Sequence, residues 1–107
     1  MAMYLWRVSY TTAGAEGLLA QGGTARRGAI QKALESLGGT LESFHYALGE
    51  DDAYLVGDLP DGTAAAALSL RVAAAGGARV TTVPLLTPEQ MDEATKRGVS
   101  YTPPGSG

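Results

Sequence analysis

Three carboxylates in succession, Glu50-Asp51-Asp52, one histidine, His45, and two arginines, Arg7 and Arg27, are the reactive side chains from which a site could be built. Adjacent acids offer the oxygens that a hard divalent cation needs. Consecutive side chains on a turn between strands diverge, however, and no regular ligand spacing surrounds them. A solvated acidic turn is therefore the favoured reading, and no metal is expected. His45 lies beside Phe44 and Tyr46 and is the candidate general base, because imidazole is the side chain suited to proton transfer at neutral pH. A histidine with no carboxylate partner evident in the sequence is more often structural.

Arg7, between Trp6 and Val8, falls in the middle of a strand, where a charge must find a partner or face a wet cavity. Arg27 precedes Ile30 and Leu34 on one helical stripe, close to a helix start at Thr24, and such a terminus with a guanidinium beside it is a candidate anion site. The competing reading packs the stem of Arg27 and leaves its head in water. Tyr10, Tyr46 and Tyr54 can furnish the walls of a ligand site, although strand tyrosines are more commonly core or interface residues. No phosphate loop, dinucleotide fingerprint or nucleophile with an adjacent base is present, and no cofactor is expected.

The elements that must position these residues follow from periodicity and punctuation. Tyr4, Trp6, Val8 and Tyr10 alternate with Leu5, Arg7 and Ser9, which predicts a half-buried first strand with Arg7 on the face opposite Trp6. Residues 11–23, rich in Gly and Ala, read as a long loop of the kind that forms lids or binding loops. A helix capped by Thr24 carries Ile30, Leu34 and Leu37 and ends at Gly38-Gly39. Two alternating runs, 40–48 and 52–59, flank Gly49-Glu50-Asp51-Asp52 as a hairpin, with His45 on the face of Leu41 and Ser43. Asp61 or Thr63 caps the alanine-rich helix that follows, and Gly76-Gly77 stops it. Residues 78–86 form a last strand, which Pro84 confines to the sheet edge. Thr87-Pro88-Glu89-Gln90 combines an N-cap, a first-turn proline and a capping-box glutamine, predicting a C-terminal helix. Residues 99–107, with Pro103-Pro104, form an extended tail.

The chain of 107 residues is expected to be one domain, residues 1–98, of a size at which burying a sheet face by self-association adds usefully to stability. Eight basic against eleven acidic residues leave a net charge of −3, which argues against a nucleic-acid partner. No segment reads as a signal peptide or a membrane span, so a cytoplasmic location is expected. The absence of cysteine excludes disulfides and thiolate chemistry.

Taken in order, Leu37-Gly38-Gly39, Leu41-Glu42-Ser43-Phe44, Gly49-Glu50, Asp52, Asp58-Leu59-Pro60-Asp61, Leu85-Leu86-Thr87-Pro88-Glu89 and Tyr101-Thr102-Pro103-Pro104-Gly105 resemble the GYD-domain family. The resemblance implies an α+β, ferredoxin-like βαββαβ domain with a four-stranded sheet in the order 4-1-3-2, similar to those that pair as dimeric α/β barrels in small bacterial proteins. The family's Gly-x-Tyr-Asp motif reads Gly49-Glu50-Asp51-Asp52 here, so Gly49 and Asp52 carry over and Asp51 replaces the tyrosine.

Two functional expectations follow. The first is a homo-oligomer that binds a small organic ligand in a sheet-lined cavity. On fold analogy this extends to cofactor-independent chemistry on a planar or aromatic substrate, with His45 as base, Arg7 stabilising negative charge, and Tyr10, Arg27, Tyr46, Asp52 and Tyr54 as ligand contacts. The second is a non-catalytic assembly or regulatory module acting through oligomer and tail contacts.

Overall fold

Alternating burial in β1 (Ala2–Tyr10) organises the molecule, because Tyr4, Trp6 and Val8 sink into the core while Leu5, Arg7 and Ser9 face the other way. The computed structural model describes residues 1–105. It places β1 beside β3 (Ala53–Leu59) and β4 (Ala78–Leu85), with β2 (Thr40–Tyr46) outside β3, all pairs antiparallel. The sheet order β2-β3-β1-β4 is that of the predicted ferredoxin-like α+β fold. β4 is an edge strand, where Pro84 removes no donor that an inner strand would need.

Helices α2 (Gly23–Ser36) and α3 (Gly62–Ala75) cover one face of this sheet. Leu34 of α2 and Ala65 and Leu68 of α3 join Trp6, Leu55 and Leu59 in the core. Gly57 of β3 makes this close packing possible: a Cβ there would lie 2.6 Å from the Thr40 carbonyl oxygen, 2.9 Å from Leu34 and 3.2 Å from Cζ3 of Trp6. The α3 boundaries follow local chemistry, since the Asp61 carboxylate accepts the Ala64 N–H at 2.9 Å and Gly76 closes the helix at φ +77°.

The structure corrects the sequence reading in four places. Residues 11–23 are not a loop: α1 (Thr12–Gln21) occupies them, its start capped by Thr11, whose hydroxyl accepts the Gly14 N–H at 3.2 Å. Its two leucines, Leu18 and Leu19, are neighbours and give no helical repeat, so periodicity passed over a segment that alanine propensity and a cap nonetheless make helical. Thr24 is not the cap of the next helix, because Gly22, at φ +85°, ends α1 and begins α2 at once and leaves Thr24 inside the helix. The hairpin connection is wider than a tight turn, with β2 ending at Tyr46 and β3 beginning at Ala53. Finally, a bulge between Leu41 and Ser43 shifts the register. Leu41 packs on the core while Ser43 and His45 face the open side, so these three residues do not share a face.

After β4 comes α4 (Pro88–Thr95), with the full capping box between Thr87 and Gln90. Every residue from 86 to 105 is exposed. This arm accounts for a long axis of 58 Å and a radius of gyration of 17.1 Å, against about 13 Å for a compact domain of this length.

Candidate functional site

The residues singled out from sequence fall on two sides of the sheet. On the open side, antiparallel pairing sets His45 opposite Tyr54, and Tyr54 opposite Arg7, in one row across β2, β3 and β1. His45 and Arg7 therefore stand two strands apart, roughly 10 Å, with the tyrosine between them. Arg7 is already committed. Its Nε donates to the Asp51 carboxylate at 2.9 Å, and the same carboxylate accepts the hydroxyls of Ser9 and Tyr54, each at 3.3 Å. The Arg7 hydrogen bond is the main reason that Asp51 is held below the usual carboxylate range, and the reciprocal bond raises Arg7. Asp51 is the one buried charged residue of the chain's described part, buried because three donors satisfy it.

Asp52 points elsewhere. Its carboxylate accepts the Tyr10 backbone N–H at 2.8 Å, while its own N–H donates to the Val8 carbonyl at 2.8 Å. Together the two aspartates clasp the 47–52 connection to the end of β1. Two of the three acids are thus committed to different structural partners. A polar cleft remains beside the clasp, bordered by Arg7, Ser9, Glu50, Asp51, Arg79 and Thr81.

On the helix side lies a cavity of two adjoining chambers. The inner one, about 30 Å³, is walled by Trp6, Phe44, Leu55, Leu68 and Val80, with Ser69 as its polar contribution from α3. The outer one, about 360 Å³, lies among α1, α2 and α3, with Leu18, Ile30, Ala33 and Val72 as its apolar surface. Tyr10, Arg26, Ile30, Leu68, Val72 and Ala78 line both chambers and so form the neck between them. The outer volume is in the range of small-molecule sites, roughly 300–1,000 Å³.

α1 roofs the outer chamber through Gly14, Gly17, Leu18 and Gln21. It is moored at one end: the Thr11 N–H donates to the Gly77 carbonyl at 3.1 Å and the Thr11 hydroxyl to the Gly76 carbonyl at 2.8 Å. Gly14 permits this approach, since a Cβ there would stand 1.8 Å from the Gly77 oxygen. No α1 residue is fully buried, which leaves the roof lightly held.

Two polar groups give the cavity its character. Trp6 is 1 % exposed, and its indole Nε1–H has no hydrogen-bond partner among the described residues. An unsatisfied buried donor costs about 1–3 kcal/mol, so it is an uncommon feature of a settled core. The Cζ3 edge of the indole packs toward Gly57, which turns the nitrogen edge away from β3; on the β4 side its cross-strand neighbour is Thr82, whose hydroxyl is 2.9 Å from that of Ser69. At the neck, burial pushes the Tyr10 phenol up to about 12, the nearby Tyr46 adding to it and Arg26 opposing it. Tyr10 therefore stays a hydroxyl donor through the physiological range.

Of the sequence candidates, Tyr10 alone lines this cavity. Tyr46 donates its hydroxyl to the Gly23 carbonyl at 3.0 Å and so ties β2 to the start of α2. Arg27 is exposed and lines neither chamber; the arginine that reaches the cavity is its neighbour Arg26. Trp6, Arg26 and Arg71 were missed as site residues. A tryptophan at a buried strand position was the available signal, because its N–H must find an acceptor somewhere.

Comparison with known proteins adds a family and no closer relative. The family model described as the GYD domain matches residues 4–95, from β1 through α4. No curated protein and no solved structure matches the chain.

Proposed function

The chain belongs to the GYD-domain family, and from that premise we propose that it is a cytoplasmic, homo-oligomeric protein that binds a small organic ligand between its sheet and helices. The observation that carries this reading is Trp6, a wall residue of the inner chamber whose buried N–H is unpartnered among the described residues, beside an outer chamber of ligand size. An acceptor atom on a ligand's inner end would remove that group's desolvation cost, while the ligand's body covers Ile30, Ala33 and Val72. Ligand binding, rather than catalysis, is what this arrangement supports. His45 and Arg7, the pair considered for proton transfer and charge stabilisation, lie on the opposite face of the sheet, with Arg7 engaged by Asp51.

Native mass spectrometry of gently purified protein, before and after mild denaturation, tests the proposal. A defined extra mass, lost on denaturation and absent from an Ala33→Phe variant that fills the outer chamber, is the expected result. An unoccupied wild-type protein whose indole Nε1–H resonance also ignores a library of small organic compounds would refute it.

A second reading, a non-catalytic assembly or regulatory module acting through oligomer and tail contacts, is favoured by a separate observation. Leu86, Met91, Val99 and Tyr101 are all exposed on an arm that leaves the domain, and an arm carrying apolar side chains into water gains by covering them. Removal of residues 99–107 should then lower the mass of the species in solution, and an unchanged mass would count against that role for the tail.

A further inference from the structure

The charge pattern around the cavity runs against that of the chain. Eleven acidic residues outnumber eight basic ones, yet no acidic side chain lines either chamber, while Arg26 from α2 and Arg71 from α3 both border the outer one. Neither arginine has an acidic partner among the described residues, where the ion pairs are Arg7 with Asp51 and Arg97 with Glu93. Gln21 and the Tyr10 hydroxyl add neutral donors at the same mouth and neck. The rest of the outer surface is apolar or glycine.

We infer that the ligand is an organic anion with an apolar body, a carboxylic acid in the simplest case, whose charged group is held by Arg26 and Arg71 while its body lies under α1. The inference rests on the cavity reading above and names the ligand class for it. Two arginines bordering a largely apolar chamber favour a carboxylate by charge-assisted, fork-shaped hydrogen bonding, and they penalise a cation by repulsion and desolvation. A neutral analogue of the same length keeps the apolar contact and loses only the ionic one. The absence of any acidic side chain from the lining leaves nothing to neutralise the arginines internally, so an incoming anion completes the pairing.

Three probes of equal length separate these contributions: octanoate, 1-octanol and octylammonium. The chain has a single tryptophan, so the indole Nε1–H cross-peak in a proton–nitrogen NMR spectrum is one resolved reporter on a wall residue of the cavity. Octanoate is expected to shift it and to bind about tenfold or more tightly than 1-octanol, with octylammonium weakest. Arg26→Gln combined with Arg71→Gln should bring octanoate down to the level of octanol, while Arg79→Gln, in the cleft on the other face, should leave the preference intact. Equal binding of octanoate and octanol, or preference for octylammonium, overturns the anion assignment and leaves the cavity reading standing. Failure of all three to move the Trp6 signal overturns the anion assignment, and, joined with an unoccupied protein in the native spectra, overturns the cavity reading as well.

Discussion

The two faces of the sheet treat their polar groups oppositely. On the open face, Asp51 receives three donors and Asp52 fastens the neighbouring backbone, so the most chemically suggestive residues of the sequence use their hydrogen-bonding capacity within the protein. On the helix face, Trp6 keeps a buried N–H without a partner and two arginines border the cavity without acids. A satisfied buried network holds a fold together, and an unsatisfied one marks where something else is expected to bind. Carboxylates crowded in sequence are thus a poorer guide to a site than a donor left over in space.

The largest test of this contrast is Gly14→Ala. The added methyl meets the Gly77 carbonyl, a backbone group that cannot swing away, so α1 must lift from the α3–β4 connection. A loss of about 1–3 kcal/mol in denaturant unfolding is expected, together with easier quenching of Trp6 fluorescence by acrylamide as the roof opens. Full stability with unchanged quenching would mean that α1 does not hold the cavity closed.

Asp51→Asn comes next and probes the other face. The folded carboxyl titrates below its ordinary value, so its stabilisation is present above the unfolded pKa and is lost as pH falls through the lower, folded one. The variant should unfold at lower denaturant than the wild type at pH 7, and the gap should close as pH drops below about 4. Octanoate binding should not change. Weakened ligand binding at neutral pH would join the two faces into one site.

Tyr10→Phe has a smaller and narrower effect. With the folded phenol raised to about 12, wild-type stability is unaffected by this group below the unfolded value near 10 and declines as pH rises from there through the folded value. The substitution should abolish that part of the alkaline decline, read as the difference between the two unfolding midpoints from about pH 9 to 12. Parallel profiles would show that Tyr10 is not shielded at the cavity neck.

His45→Ala should do least. The side chain is exposed on the open face, so a stability change within about 0.5 kcal/mol is expected, with octanoate affinity unaltered. Loss of ligand binding in this variant would invert the comparison and move the site to the row of His45, Tyr54 and Arg7.

Much of the fold was legible because it is written in local signals. The alternation of β1, the Asp61 cap, the Gly76 terminus and the Thr87–Gln90 capping box each act within a few residues, and the sheet order follows once the strands are paired as a ferredoxin-like unit. The placement of Arg7 opposite Trp6 was also readable, since strand geometry alternates side chains. α1 was not, because its adjacent leucines give no helical repeat, and Thr11 and Gly14 dock it on Gly76 and Gly77, which lie far along the chain. Nor was the face of Leu41, which a single bulge reverses. The site was less legible still: Arg26 and Arg27 are adjacent and lie four and three residues before Ile30, and only the packing of α2 decides which of them borders the cavity.

Local chemistry written in the chain was enough for the family, the strands, the capped helix ends and the acidic character of the hairpin, because caps, alternation and turn chemistry are interactions between near neighbours. Only the assembled fold makes Asp51 and Asp52 clasps, brings Arg26 rather than Arg27 to the cavity, and leaves the Trp6 N–H without a partner. Those outcomes depend on which distant groups arrive beside a side chain, and hydrogen-bond satisfaction is settled only when every neighbour is in place.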